Sequence, residues 1–220
     1  MGYNPSADPR RAAAGMGTDH RRLMRFLTPY APALAALLLT AACASAPASG
    51  GAIGHGGSTG EQMRAAADAL AAGRNDEAAR RFRHIVDDPA TPDTAAARAW
   101  HDLGVALSRN DQREEAVAAL EEAVRRAPEL ADAHLHLAQA LRATGRYTEA
   151  EQHYLEARKR APERLDIVYN LGILYELYLN QPDKARAAYR VYVDGGGEHA
   201  ERVRSWIDTL GKSRPGKKGS

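Results

Sequence analysis

The stretch that decides the fold is 100–128, WHDLGVALSRNDQREEAVAALEEAVRRAP, read against 134–162, HLHLAQALRATGRYTEAEQHYLEARKRAP. Laid one over the other, they correspond at eight positions 34 residues apart. Trp100, Leu103, Gly104 and Leu107 fall on His134, Leu137, Ala138 and Leu141. Ala116, Leu120, Ala123 and Pro128 fall on Ala150, Tyr154, Ala157 and Pro162. A further 34 residues on stand Val168, Leu171, Gly172 and Tyr175. Ala185 and Tyr189 then arrive one residue late, which predicts an insertion within 178–183. A fixed period of this length marks a unit that cannot bury its apolar face alone and must stack on its neighbours.

Each residue type has a physical reason. Gly104, Ala138 and Gly172 are small where two helices would cross closely, and Ala116, Ala150 and Ala185 are their small counterparts on the second helix. Leu107, Leu141 and Tyr175 fill the space between helices together with Leu120, Tyr154 and Tyr189. Pro128 and Pro162 end the second helix, because proline lacks the N–H needed to continue it. Gly145 suits a left-handed turn, Asp111 to Glu114 reads as a capping box, and Pro182 suits a first helical turn. The spacing and residue types resemble the tetratricopeptide repeat, a pair of antiparallel helices per unit. The resemblance implies an all-α chain, an α-solenoid of antiparallel helix pairs, with clear units at 97–130, 131–164 and 165–197.

Upstream, Gly73, Ala78 and Phe82 match Gly145, Ala150 and Tyr154 if about four extra residues are allowed in 87–94, so 59–96 reads as a degenerate first unit. Its first helix is expected over 61–72. The glycines Gly195, Gly196 and Gly197 break the last unit, and 198–211 offers Val203, Trp206, Ile207 and Leu210 on one face as a capping helix. The repeat domain thus spans 59–211, and 212–220 reads as a basic, disordered tail. Composition agrees: only 6% of the 220 residues are aromatic, which favours helices packed through small side chains over an aromatic-rich β core.

The amino-terminal residues read differently. Arg10, Arg11, Arg21, Arg22 and Arg25 precede the uncharged run 26–42, FLTPYAPALAALLLTAA, and Cys43 follows. A basic segment, a short apolar core and small residues before a processing point describe a secretory signal over 1–42, with Met16 and Met24 as alternative starts. An uncleaved anchor is the other reading, but the run is short for a span and Pro29 and Pro32 interrupt it. The run 39–43, LTAAC, resembles the lipobox of bacterial lipoproteins, with Thr40 where leucine is usual. That resemblance implies cleavage before Cys43, lipidation of its thiol and amine, and a stable membrane anchor. Ala44 after the cysteine, by resemblance to Gram-negative lipoproteins, implies the outer membrane with a periplasmic domain; inner-membrane anchoring is the alternative. Residues 43–58, rich in Gly, Ala and Ser, read as a flexible tether.

Charge follows the same division. The chain carries a formal +2, but 1–42 hold five arginines against two aspartates, and 212–220 hold four basic residues and no acid. What lies between, 43–211, has 21 basic and 26 acidic side chains, net −5. An exported, acidic domain argues against nucleic acid as a partner.

No residue constellation points to catalysis. His134 and His136 are two apart and fall on different helix faces, which argues against a shared metal, while His84, His101, His153 and His199 are scattered. The pairs Glu114–Glu115 and Glu121–Glu122 read as solvated helix surface, and Gly195–Gly197 lacks the strand and helix of a phosphate loop. The expectation is therefore no enzyme, no metal, no cofactor and no small-molecule substrate.

In the repeat family the first helix of each unit lines a concave groove, which implies a protein-binding scaffold. The groove positions carried over are Arg98, His101, Val105 and Arg109, then Asp132, Leu135, Gln139 and Arg142, then Asp166, Tyr169, Ile173 and Glu176. Leu135, Tyr169 and Ile173 are expected as an apolar stripe for a partner segment, with Arg109 and Arg142 at its edge to hold a carboxylate. The clamp of chaperone-binding repeats is absent, since its positions hold Met63, Ala67, Asp102, Asp166 and Asn170. The expected partner is an envelope protein of a pilus, secretion, barrel-assembly or cell-wall machine. A holdase for exported chains, or a cell-wall polysaccharide binder, are the alternatives.

Overall fold

A computed structural model describes residues 57–210; the expected signal at 1–42, Cys43, most of the expected tether and the basic segment 212–220 lie outside these residues. Among the described residues nine α-helices follow one another. They are α1 (Thr59–Ala71), α2 (Asn75–Asp87), α3 (Asp93–Arg109), α4 (Arg113–Arg126) and α5 (Ala131–Ala143). Then come α6 (Tyr147–Arg160), α7 (Leu165–Ile173), α8 (Pro182–Asp194) and α9 (Ala200–Leu210). Helix α7 runs on without a break into a wider π-turn, Leu174–Tyr178. The described residues are an all-helical stack of pairs, α1 with α2, α3 with α4, α5 with α6 and α7 with α8, capped by α9.

The pairs are closed by the same turn. Gly73, Asp111, Gly145 and Asn180 each adopt a positive φ just after the first helix, between 53° and 83°. In the first three pairs the next backbone N–H reaches back over the helix end. Arg74 donates to the Ala69 carbonyl, Gln112 to that of Leu107 and Arg146 to that of Leu141. Each of these bonds spans five residues, the return bond of a Schellman-type helix end. In the last pair the equivalent bond runs from the Gln181 N–H to the Tyr175 carbonyl and spans six. The extra residue is therefore already present before the turn. The sequence places it within 178–183; the structure absorbs it in the π-turn at Leu174–Tyr178, where each helical bond takes in one more residue.

The upstream insertion resolves differently. Helix α3 has 17 residues where α5 has 13, so most of the four extra residues become an added helical turn at the start of α3. The expected capping box at Asp111 is not formed. Asp111 occupies the left-handed turn, its carboxylate accepts from Arg113 Nε at 2.7 Å, and Gln112 precedes α4 without a side-chain cap. A capping box does stand at α1, where Ser58 and Glu61 satisfy one another's backbone N–H groups.

Close crossings explain the small residues. A Cβ at Gly104 would collide with Leu120 and lie 2.9 Å from its Cδ2, and one at Gly172 would lie 3.0 Å from Tyr189 Cζ and closer still to its Cδ1 and Cε1. The core runs through the stack as two clusters meeting at α4. The first is built mainly from alanines with Phe82, Ile85, Leu103 and Leu107. The second is larger in its side chains, with Tyr154, Tyr169, Tyr175, Tyr189, Tyr192 and Trp206. Successive first helices touch, α1 with α3 and α3 with α5, whereas no pair of second helices among those described approaches as closely. First helices thus approach one another on one side of the stack, the inner face, and second helices lie on the other, the outer face.

Candidate partner-binding surface

Three contacts between first helices mark the inner face. Arg109 of α3 donates to the Leu70 carbonyl of α1 at 3.0 Å, His101 of α3 meets His136 of α5, and Arg142 of α5 reaches Tyr178 beyond α7. All three bridge neighbouring repeats, which is how a solenoid couples one unit to the next.

The histidine contact has a defined proton arrangement. His101 Nδ1 donates to the Asp102 carboxylate at 2.8 Å, which leaves its Nε2 to accept from His136 Nδ1–H at 2.8 Å. Burial, and then the positive charge that His101 would carry, lower His136 to about 4, so it is neutral at physiological pH. A second pair lies within one repeat. His134 Nε2 donates to the Pro128 carbonyl at 3.0 Å, so its Nδ1 accepts from His153 Nδ1–H at 3.0 Å. Burial lowers both of these rings as well. Adjacency along the chain singles out His134 with His136, and it misses both pairs that form. His101 and His136 are 35 residues apart, one period plus one, and that spacing is the signal that could have found them.

Arg142 is the most unusual charge on this face. Its guanidinium lies 5.5 Å above the Tyr178 ring, with Nη1 3.5 Å from the Tyr178 hydroxyl and Tyr154 beside it. Its Nε is buried without a hydrogen-bond partner, and no carboxylate among the described residues pairs with it. Burial opposes its charge, but the Tyr154 and Tyr178 hydroxyls more than offset that and hold it above its ordinary value. A desolvated guanidinium with spare donors is suited to an incoming carboxylate.

The other groove positions divide into open and closed. Arg98 is exposed, and Gln139, His101 and Val105 are half-buried. Asp132 accepts from Arg164, which also holds Asp166 at 2.7 Å. Burial alone would raise the Asp132 carboxyl, but Arg164 outweighs it and holds it below the usual range. Glu176 accepts from the Tyr189 hydroxyl at 2.9 Å and so turns back onto α8. Leu135, Tyr169 and Ile173 correct the expectation of an open apolar stripe. They are 3%, 8% and 3% exposed and belong to the core. The cap explains part of this: Tyr169 packs on Tyr192 of α8 at 5.0 Å and on Trp206 of α9 at 6.2 Å. The inner face that remains is polar, with Arg98, Gln139, Arg142 and the His101–His136 pair.

Among the described residues, no group of three or more His, Cys, Asp or Glu stands together as a metal would need. Nor is any helix among them long and apolar enough to cross a membrane.

Comparison with known proteins adds the fold and the repeat. No curated protein sequence matches the chain. The crystal structure of MamA superposes with a TM-score of 0.57 at 19% identity, covering 67% of this chain and 81% of that one. YrrB, described as a TPR protein with an unusual peptide-binding site, gives 0.55 at 20% identity, covering 67% and 75%. A tetratricopeptide repeat protein from Parabacteroides merdae gives 0.60 at 17% identity, covering 70% and 60%. Residues 101–164 match one family described as Tetratricopeptide repeat, and 166–194 match another of the same description. Matched in sequence and folded as stacked helix pairs, these two segments are tetratricopeptide repeats.

Proposed function

We propose that this chain is a non-enzymatic protein-binding scaffold whose inner face takes a carboxylate-bearing segment of a partner at Arg142. The observation that carries the reading is the Arg142 guanidinium, desolvated between Tyr154 and Tyr178 with no carboxylate of its own among the described residues. Arg98 and Gln139 supply further polar contacts on the same face. A partner's Asp, Glu or terminal carboxylate would complete the hydrogen bonding that the fold leaves open. The peptide-binding site named for YrrB agrees with this use of a repeat stack.

The reading extends to location. The basic segment, the apolar run 26–42 and the LTAAC run at 39–43 support export, cleavage before Cys43 and a lipid anchor. On this reading the repeat domain faces the periplasm from the outer membrane and gathers a protein of an envelope machine. Mass spectrometry of the mature chain tests the anchor: an acylated amino-terminal Cys43 supports it, and an intact 1–42 segment refutes it. Crosslinking of the full-length chain in cells tests the scaffold. One stoichiometric envelope partner, weakened by Arg142→Gln, supports the reading. Broad capture of unfolded exported chains without a dominant partner would replace it with a holdase.

A further inference from the structure

A pocket stands apart from the groove positions of the inner face. Between α6 and α8, the second helices of successive repeats, lies a cavity of about 260 Å³. Leu171, Tyr175 and Ala188 are its buried lining, and Arg158, Lys184 and Val191 are exposed at its mouth. Its volume falls below the roughly 300–1,000 Å³ of small-molecule sites, and suits one large apolar side chain. Leu155 and Val191 are the exposed large hydrophobic residues among those described, and they stand on the two helices that flank it. Leu155 lies one turn before Arg158 on α6.

The charge around the mouth is unbalanced. Lys184 lies 3.0 Å from Glu151 and 5.1 Å above the Tyr175 ring. Glu151 also takes the Tyr175 hydroxyl, so its oxygens are committed to the pocket wall. Arg158 forms no ion pair among the described residues, and Glu151, the acid at the pocket wall, is already engaged by Lys184 and Tyr175. Two cations therefore stand at an apolar opening, and the one carboxylate bound there is held by Lys184.

We propose that this pocket binds an extended acidic segment of a partner protein, which inserts one large apolar side chain and sets a neighbouring Asp or Glu on Arg158. The apolar floor supplies an anchor, and the arginine supplies charge-assisted hydrogen bonds that fix the segment's direction. A walled cavity with cations on two sides fits an inserted side chain better than a flat lipid surface does. Arg142 is not among the residues that line this pocket, so the two sites can be tested separately.

The test is fluorescence anisotropy of the full chain with a labelled eight-residue peptide carrying a central Leu flanked by Asp on both sides. The expected result is saturable binding that weakens with salt and falls at least about tenfold on Arg158→Glu. Ala187→Trp, which places a ring at the mouth from an exposed position, should abolish it while the thermal midpoint is unchanged. Arg142→Gln should leave it unaltered, which separates this site from the inner face. No saturable binding, equal binding of a peptide with Lys in place of Asp, or wild-type affinity in both pocket variants would overturn the proposal. Failure of the peptide combined with Arg158-dependent binding of phosphatidylglycerol vesicles to the Cys43→Ser chain would assign the face to lipid and overturn it too.

Discussion

At the scale of single residues, the fold rests on places where no side chain fits. Gly104 and Gly172 let the two helices of a repeat cross against Leu120 and Tyr189, and an added methyl group would force the backbones apart. Gly172→Ala is expected to cost about 1–3 kcal/mol by overpacking, read as a lower midpoint in urea at unchanged slope. The small type at this position is legible in the sequence because it recurs with the period. Arg142 is legible as a groove residue, but its isolation is not. That property depends on Tyr178, which the π-turn carries into place, and no residue pattern encodes the turn. Leu135, Tyr169 and Ile173 mislead for a related reason. Their spacing gives the face of the helix, but burial depends on neighbouring helices, as where Tyr192 of α8 and Trp206 of α9 cover Tyr169.

At the scale of elements, two histidine pairs and a capping helix determine how the stack responds to stress. His136 titrates at about 4 in the folded chain against 6.5 unperturbed, and burial lowers His134 and His153 in the same direction. As pH falls through this window the unfolded chain takes up protons that the folded one refuses, so stability declines. Below about 4 the His136 contribution is fully lost. For His136 alone the loss approaches about 3 kcal/mol. Urea titrations from about pH 7.5 to 4.5 should show the decline, and His136→Gln should flatten it; an unchanged slope in that variant would contradict the assignment. The capping helix protects the other end. Trp206 packs on Tyr169 at 6.2 Å and on Tyr189 at 5.8 Å, and is 7% exposed. Trp206→Ala should cost about 3–5 kcal/mol and speed hydrogen exchange first in α7 and α8, with α1 and α2 little affected. The period and the cap's apolar face are visible in the sequence, whereas the fates of the two insertions are not. An extra residue can lengthen a loop, extend a helix or widen a turn, and only the packing of neighbours selects among them.

At the scale of the whole molecule, the repeats give one chain two faces of different character. The inner face is polar and holds a cation without a counter-charge, and the outer face holds an apolar pocket with a basic mouth. Each is formed between repeats, so neither belongs to a single unit, and a repeat cut out of the stack would carry neither. The net −5 of 43–211 makes these isolated cations stand out as the places where an acidic partner can approach. The most direct measurement is quantitative crosslinking mass spectrometry of the full-length chain in its own cells, comparing the wild type with Arg142→Gln. The expected result is one stoichiometric partner whose acidic segment crosslinks to α5 and α7, reduced at least about tenfold in the variant. Recovery of the same partner at the same level from both proteins, or crosslinks confined to other surfaces, would contradict the account.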